Sequence, residues 1–141
     1  MRLDLKDHKI IEVLRKDSRI SIRDIAKKTQ LRPSTVHDRI KKLVRDKVIE
    51  KFTLKLNNKA VGENFIVFML IKSEKEIPND YLNSNKHIKE VFGVTGEYDV
   101  FLKLKFKDIE EFNDFVLGFR KRFQLINTLT LVATTNIKEE I

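Results

Sequence analysis

At 141 residues with a hydrophobic fraction of 41%, the chain can hold one ordinary domain or two small ones, and its lack of cysteine excludes disulfides and thiolate zinc sites. Residues 1–60 carry 18 basic and 8 acidic side chains, a net charge of +10, whereas residues 61–141 carry 11 and 13, a net charge of −2. A basic first part on a nearly neutral second part indicates nucleic-acid binding joined to a separate task, although a solvated lysine-rich surface would give the same totals.

The first segment is predicted to form three helices. Asp4 can cap a first helix whose apolar residues recur at helical spacing. Ser21 and Asp24 resemble a capping box, which would open a short second helix. Pro33 fits the first turn of a third helix. Two short helices, a tight turn and a basic third helix together predict a helix-turn-helix.

The third helix has two different sides. Val36, Ile40, Leu43 and Val44 cluster on one side and are predicted to face the core. Polar and basic side chains cluster on the other side, where the early ones could reach base edges in the major groove and the later cations could lie near phosphates. An ordinary amphipathic helix is the alternative, and Asp38 favours it because a carboxylate repels phosphate. The predicted DNA-binding residues are Arg23, Arg32, Ser34, Thr35, His37, Asp38, Arg39, Lys41, Lys42 and Arg45.

The second segment begins after an alternating stretch, residues 48–56, that predicts a strand, and a turn at Asn57–Lys59. Beyond the turn, the patterns predict the order β-α-β-β-α-β, which is the ferredoxin-like arrangement of an α+β domain. The first helix of this domain is expected to be short, and the second to bury one face that includes Ile109. The predicted elements are a strand at 65–71, a helix opening at Pro78, strands at 91–95 and 100–106 around a four-residue hairpin, a helix from Asp108, and a strand at 128–133.

Four runs of the sequence resemble the Lrp/AsnC family of regulators. The resemblance implies a winged helix-turn-helix at residues 1–51, a linker strand and turn at 52–60, and a ferredoxin-like (ACT-like) effector and oligomerisation domain at 61–141. It also implies homodimers formed through the sheet, tetramers or octamers built from dimers, double-stranded DNA as partner and an amino-acid effector. The four runs are Leu5–Arg19 (LKDHKIIEVLRKDSR), Ser21–Lys28 (SIRDIAKK), Ser34–Leu43 (STVHDRIKKL) and Gly96–Val100 (GEYDV).

The sequence departs from the family pattern around the third helix. The family usually has Gly where Gln30 and often where Lys47 stands, and usually Ser where Arg32 stands. A left-handed backbone at Gln30 or Lys47 would cost roughly 1 kcal/mol relative to Gly. Without the usual Ser at the start of the third helix, Ser34 is expected to take over part of the capping.

The resemblance also implies an effector site. In the family, a loop with the pattern Gly-x-x-Asp helps to form the ligand pocket, and here this loop contains Gly96, Tyr98 and Asp99. The Asp99 carboxylate could receive an α-ammonium group, and Thr134 and Thr135 could add hydroxyls. The alternative is that Gly96 only allows the turn and Asp99 only caps it.

Catalysis and metal binding have little support in the sequence. The three histidines lack metal-ligand spacing, and no phosphate loop or nucleophile motif is present, so no cofactor, metal or catalytic residue is expected. A sirohaem-decarboxylase-like subunit on the same architecture and an architectural DNA-packing protein are the alternatives. Neither a secretion signal nor a membrane span is recognisable, which predicts a cytoplasmic, nucleoid-associated protein.

Overall fold

The computed structural model describes residues 2–141, and Met1, the first residue of the predicted DNA-binding domain, lies outside them. The chain divides into two compact units, the first ending at Lys55 and the second spanning Leu56–Glu140. The first unit is helical and the second is α+β. The elements are α1 Leu5–Lys16, α2 Ile22–Thr29, α3 Pro33–Arg45, β1 Phe65–Ser73, α4 Asn79–Ser84, β2 Ile88–Gly93, β3 Val100–Phe106, α5 Ile109–Arg122 and β4 Leu125–Val132.

Local side-chain caps begin the first two helices. The carboxylates of Asp4 and Asp7 each accept the other residue's backbone N–H, so the predicted cap at Asp4 is confirmed as a full capping box. Ser21 Oγ accepts from the Asp24 N–H at 3.1 Å. The predicted return bond from Asp24 is absent. Arg32 precedes α3 without a side-chain cap, so the expected capping by Ser34 does not occur either.

Left-handed backbone occurs at the two non-glycine positions where the family pattern has Gly. Gln30 ends α2 with φ +58°, and Lys47 follows α3 with φ +57°. Each residue replaces a Gly at a cost of roughly 1 kcal/mol. The turns that set the direction into and out of α3 are therefore formed despite an unfavourable backbone conformation.

The core of the first unit is small. Its fully buried side chains include Val36 and Leu43 from α3, together with Ile10 and Ile25. Val44 was predicted to face this core, but 43% of it is exposed. It lies about 80° around the helix from Val36, at the edge of the apolar side and in the last turn.

The predicted strand at residues 48–56 is not formed in the single chain. Phe52, Leu54 and Leu56 alternate as expected, yet all three are exposed and no ladder pairs this stretch with another within residues 2–141. A strand requires a hydrogen-bonded neighbour, which the sequence pattern cannot supply. The turn does form: Asn57 Oδ1 accepts from the Ala60 N–H at 3.0 Å. The boundary between the units falls inside the predicted linker.

The second unit confirms the predicted ferredoxin-like order. Its four strands are antiparallel in the order β2-β3-β1-β4, and the helices cover one face of the sheet. Two strands are displaced from their predicted positions. β2 was predicted at 91–95 and occupies 88–93, and β4 was predicted at 128–133 and occupies 125–132. Ile109, predicted in the core, is exposed in the first turn of α5, where no neighbouring element covers it. Buried side chains of this core are Val67, Met69, Ile71, Ile77, Leu82, Ile88, Leu102, Leu104, Phe106 and Phe119.

The other face of the sheet is left open by the helices. On it Phe68 and Phe101 stack with ring centroids 5.9 Å apart, and Leu129 and Leu131 lie exposed beside them. Within residues 2–141 no helix combines the length and the apolar composition that crossing a membrane requires.

Candidate nucleic-acid interface and effector region

The outward side of α3 carries most of the predicted DNA-binding residues. Thr35 is half-buried at the edge of this side, and Arg23 is exposed on α2. Because Val36 and Leu43 are fully buried on the opposite side, apolar packing decides which side of α3 faces the core. The predicted DNA-binding residues that are exposed on α3 and at its cap are Arg32, Ser34, His37, Asp38, Lys41, Lys42 and Arg45.

Several of these side chains have polar partners close by in the sequence. His37 Nδ1 lies 3.4 Å from Asp38 Oδ1, and Arg45 Nε lies 3.2 Å from Asp46 Oδ1. The Asp38 carboxylate therefore lies within hydrogen-bond reach of a neighbouring imidazole. Lys41 and Lys42 form no ion pair with any carboxylate of residues 2–141, so their charges are free to meet an external anion.

Arg39 differs from the other predicted DNA-binding residues. Its guanidinium donates hydrogen bonds to Asp4 and, at 3.1 Å, to Asp7 Oδ1, and only 26% of its side chain is exposed. The hydrogen bond from Arg39 and the backbone N–H of Asp7 hold the pKa of Asp4 far below its usual range. The pKa of Arg39 is raised, chiefly by its bond to Asp4. Arg39 therefore joins α3 to the start of α1 instead of facing solvent.

The predicted effector loop is closed by backbone hydrogen bonds. The Val94 N–H donates to Asp99 O and the Asp99 N–H donates to Ile71 O, both at 2.9 Å, while Gly96 has φ +116°. The Asp99 carboxylate is exposed and does not cap the loop. Gly96 thus allows the turn through its positive φ, as the alternative interpretation expected. The Asp99 carboxylate, in contrast, is available to contact a ligand.

The two halves of the predicted effector site do not meet within one chain. The loop with Asp99 lies at the Ile71 end of β1, whereas Thr134 and Thr135 follow the end of β4 that pairs with Val67. Val67 and Ile71 are four residues apart on β1, which rises about 3.3 Å per residue, so the two groups are separated along the strand by at least about 13 Å. A ligand that contacted both groups would have to bind between copies of the chain.

A polar cluster that the sequence did not reveal lies on the open sheet face. Glu139, in the C-terminal segment, binds Lys103 and, at 3.0 Å, Lys105 Nζ, and Asn58 donates to it at 3.1 Å. Partial burial works against ionisation, but these three hydrogen bonds outweigh it and lower the pKa of Glu139 to about 2. The spacing of Lys103 and Lys105 on one face of β3 was a signal for a carboxylate partner, but it could not say which one.

The C-terminal segment also borders a cleft of about 420 Å³ against the open face, lined in part by Ile66, Phe68 and Thr135. On the helix-covered side, His87 stacks on Phe106 and lies 3.2 Å from Glu111. In residues 2–141 no three His, Cys, Asp or Glu side chains are grouped so that they could hold a metal ion.

Comparison with known proteins decides the family. Residues 3–50 match the winged helix-turn-helix DNA-binding family, and residues 67–141 match the Lrp/AsnC ligand binding domain. The chain belongs to the Lrp/AsnC family. Like other members, it is a transcription regulator with an N-terminal DNA-binding domain and a C-terminal ligand-binding domain.

A curated relative and two solved structures agree with this assignment. An uncharacterized HTH-type transcriptional regulator of Pyrococcus abyssi is 41% identical, with 98% of this chain and 96% of the relative covered. An AsnC family transcriptional regulator from Agrobacterium tumefaciens shares the fold with a TM-score of 0.91, at 23% identity over 98% of this chain and 94% of its own. A Neisseria meningitidis transcriptional regulator in complex with L-Met shares it with a TM-score of 0.88, at 22% identity over 99% and 94%.

Proposed function

We propose that this Lrp/AsnC regulator binds double-stranded DNA sequence-specifically, with α3 in the major groove. The observation that carries the proposal is the outward side of α3. There, small hydroxyls near the N-terminus are followed by Lys41 and Lys42, which have no carboxylate partner within residues 2–141. Such a helix can place its early residues at base edges and its later ones at phosphates. The proposed contacts are Arg23, Arg32, Ser34, Thr35, His37, Asp38, Lys41, Lys42 and Arg45.

Salt titration tests this proposal. Replacing Lys42 and Arg45 by Ala should weaken binding to all duplexes about equally and reduce the slope of log affinity against log salt by about 0.9 for each phosphate that the protein no longer neutralises. Thr35→Ala should instead alter the preference among operator variants. Normal DNA binding by the double variant at physiological salt would show that α3 is not the helix that contacts DNA.

Homodimerisation, with tetramers or octamers built from dimers, is the second part of the proposal. The open sheet face exposes Leu129, Leu131 and Phe92, and the linker exposes Phe52, Leu54 and Leu56 at every second position. A second copy would cover the first group and give the linker the strand partner it lacks. Two copies would then present two α3 helices to one duplex.

An amino acid is the proposed effector. The second unit matches a ligand-binding domain, and the Neisseria meningitidis regulator of the same fold was solved with L-Met. The exposed Asp99 carboxylate could receive the α-ammonium group, and Thr134 or Thr135 of another copy could complete the site. A thermal-shift screen against the twenty amino acids tests this, because a ligand that prefers the folded state must raise the midpoint. No shift with any amino acid would remove this part of the proposal.

We also propose that the protein works without catalysis, cofactor or metal, in the cytoplasm on the nucleoid. Its basic side chains are concentrated in the DNA-binding unit, whereas a tetrapyrrole-binding enzyme of this architecture would need them around a pocket of the second unit. Selective protection of particular DNA sequences, as opposed to uniform coating, would distinguish a regulator from a DNA-packing protein.

A further inference from the structure

A closed network of hydrogen bonds joins the middle of α3 to the start of α1. The Asp4 N–H donates to Asp7 Oδ2 at 3.0 Å, and the Asp7 N–H donates to Asp4 Oδ1 at 2.9 Å. The remaining oxygen of each carboxylate accepts from Arg39 Nη1. All four carboxylate oxygens are therefore used, and the arginine bridges residues more than thirty positions away in the sequence.

The burial of this network shows that Asp7 needs Arg39 as a partner more than Asp4 does. The Asp7 side chain is only 6% exposed, so its charge requires a permanent partner, whereas Asp4 is 52% exposed. Arg39 is the only cation of residues 2–141 that pairs with Asp7. Two carboxylates face one guanidinium and the positive end of the α1 dipole, so the positive charge of Arg39 is already balanced within the protein.

The position of Arg39 on α3 gives the network a consequence for DNA binding. Arg39 lies about 40° around the helix from Thr35 and about 60° from Lys42, at the edge of the outward side. Packing of Val36 and Leu43 is not directional and leaves freedom of rotation about the helix axis. A guanidinium held by two carboxylates has a fixed geometry and removes that freedom.

We infer that Arg39 is a positioning residue for α3, acting through Asp7 and Asp4 to set the rotation at which the helix presents its side chains to the bases, and that it is not a phosphate contact. The inference rests on the proposed function. It separates the cations of α3 into one that holds the helix and others, such as Lys42, that meet DNA.

The test compares Arg39→Gln with Lys42→Gln and with Arg15→Gln, an exposed α1 position that loses the same charge. Affinity is measured over a salt series on the duplex that the unaltered protein selects from a randomised library and on a mixed-sequence duplex. Lys42→Gln should reduce the salt slope by about 0.9 on both. Arg39→Gln should leave the slope unchanged but lower the ratio of selective to non-selective affinity about tenfold, the discrimination of one misplaced base contact. Arg15→Gln should leave the ratio unchanged.

Two further variants separate positioning from charge. Arg39→Lys keeps the charge but lacks the planar guanidinium and ends one bond closer to the backbone than Arg39 Nη1, so it should not keep both contacts and should lower the ratio as Arg39→Gln does. Asp7→Asn should lower the ratio too, although it removes a negative charge near the DNA. A slope reduced by Arg39→Gln as much as by Lys42→Gln, or an unchanged ratio, would overturn the inference.

A double-mutant cycle without DNA distinguishes this inference from the proposed function. The melting temperature should fall less in the Arg39→Gln, Asp7→Asn double variant than the sum of the two single shifts, because each variant breaks the same contact. Additive shifts would overturn the inference whatever the protein binds. Failure of the unaltered protein to select any duplex would overturn the proposed function, while the cycle would still report whether Arg39 holds α3.

Discussion

The two units expose opposite kinds of surface. The first unit buries only a handful of apolar side chains completely and presents unpaired cations, and residues 1–60 carry a net charge of +10. The second unit has the larger core, and its exposed sheet face is apolar, with Leu129 and Leu131 uncovered. The first unit is thus suited to long-range attraction of a polyanion. The second unit is suited to burying apolar area against another surface.

The largest expected effect comes from separating the units. A fragment of residues 56–141 keeps Asn58 and the whole sheet, and it should fold and still associate through its open face. It should have no measurable DNA affinity, because residues 56–141 carry 12 basic and 13 acidic side chains, a net charge of −1. Light scattering and a DNA-binding assay check both statements. A fragment that was purely monomeric would contradict association through the second unit. A fragment that bound DNA would contradict the assignment of DNA binding to the first unit.

A smaller effect is expected from Glu139, which ties the C-terminal segment to the sheet. Its pKa falls from 4.5 to about 2 on folding. The stabilisation is therefore fully present above pH 4.5 and is lost as the pH falls through 2. Glu139→Gln should reduce the free energy of unfolding at pH 7 by about 2–3 kcal/mol.

Denaturant unfolding at several pH values checks this prediction. The difference between the unaltered protein and Glu139→Gln should shrink between pH 4.5 and 2. Glu140→Gln, which changes an exposed neighbour, is the matched control and should have little effect. A difference that did not depend on pH would mean that the ionised carboxylate is not the stabilising group.

The smallest expected effect concerns the left-handed residues of the first unit. Gln30→Gly and Lys47→Gly should each raise the free energy of unfolding by up to about 1 kcal/mol, because Gly adopts positive φ without the steric cost. Lys28→Gly, in the right-handed last turn of α2, should lower it by about 1 kcal/mol. If all three variants changed the free energy of unfolding in the same direction, this account of the turns would be contradicted.

Patterns that act over a few residues predicted the fold well. The caps at Asp4 and Ser21, the short α4 and the order of strands are confirmed because they depend on local hydrogen bonds and on burial period. Val44 and Ile109 were placed wrongly because helical periodicity does not say where the neighbouring element ends. The linker strand was predicted wrongly for a related reason: within residues 2–141 no segment pairs with it.

The candidate sites could be predicted from the sequence less well than the fold, because they depend on contacts between distant residues. Helical periodicity alone identified the exposed polar residues of α3 such as Lys41 and Lys42, but not the exposure of Val44. Asp4 and Asp7, which pair with Arg39, and Glu139, which pairs with Lys103, lie more than thirty positions from their partners, so only the fold could reveal these contacts. The separation of Asp99 from Thr134 depends on the register of β1 with β3 and β4, which period-two alternation leaves undetermined.

The central claim is that paired second units present two α3 helices to one duplex, and varying the spacing of the half-sites tests it most directly. Half-sites should lie about 10–10.5 base pairs apart, or a multiple of that. Inserting about five base pairs turns one half-site to the opposite side of the DNA, so affinity should collapse, and inserting about ten should restore much of it. Affinity that was indifferent to the helical phase of the insertion would contradict the claim, because the DNA-binding units would then act independently.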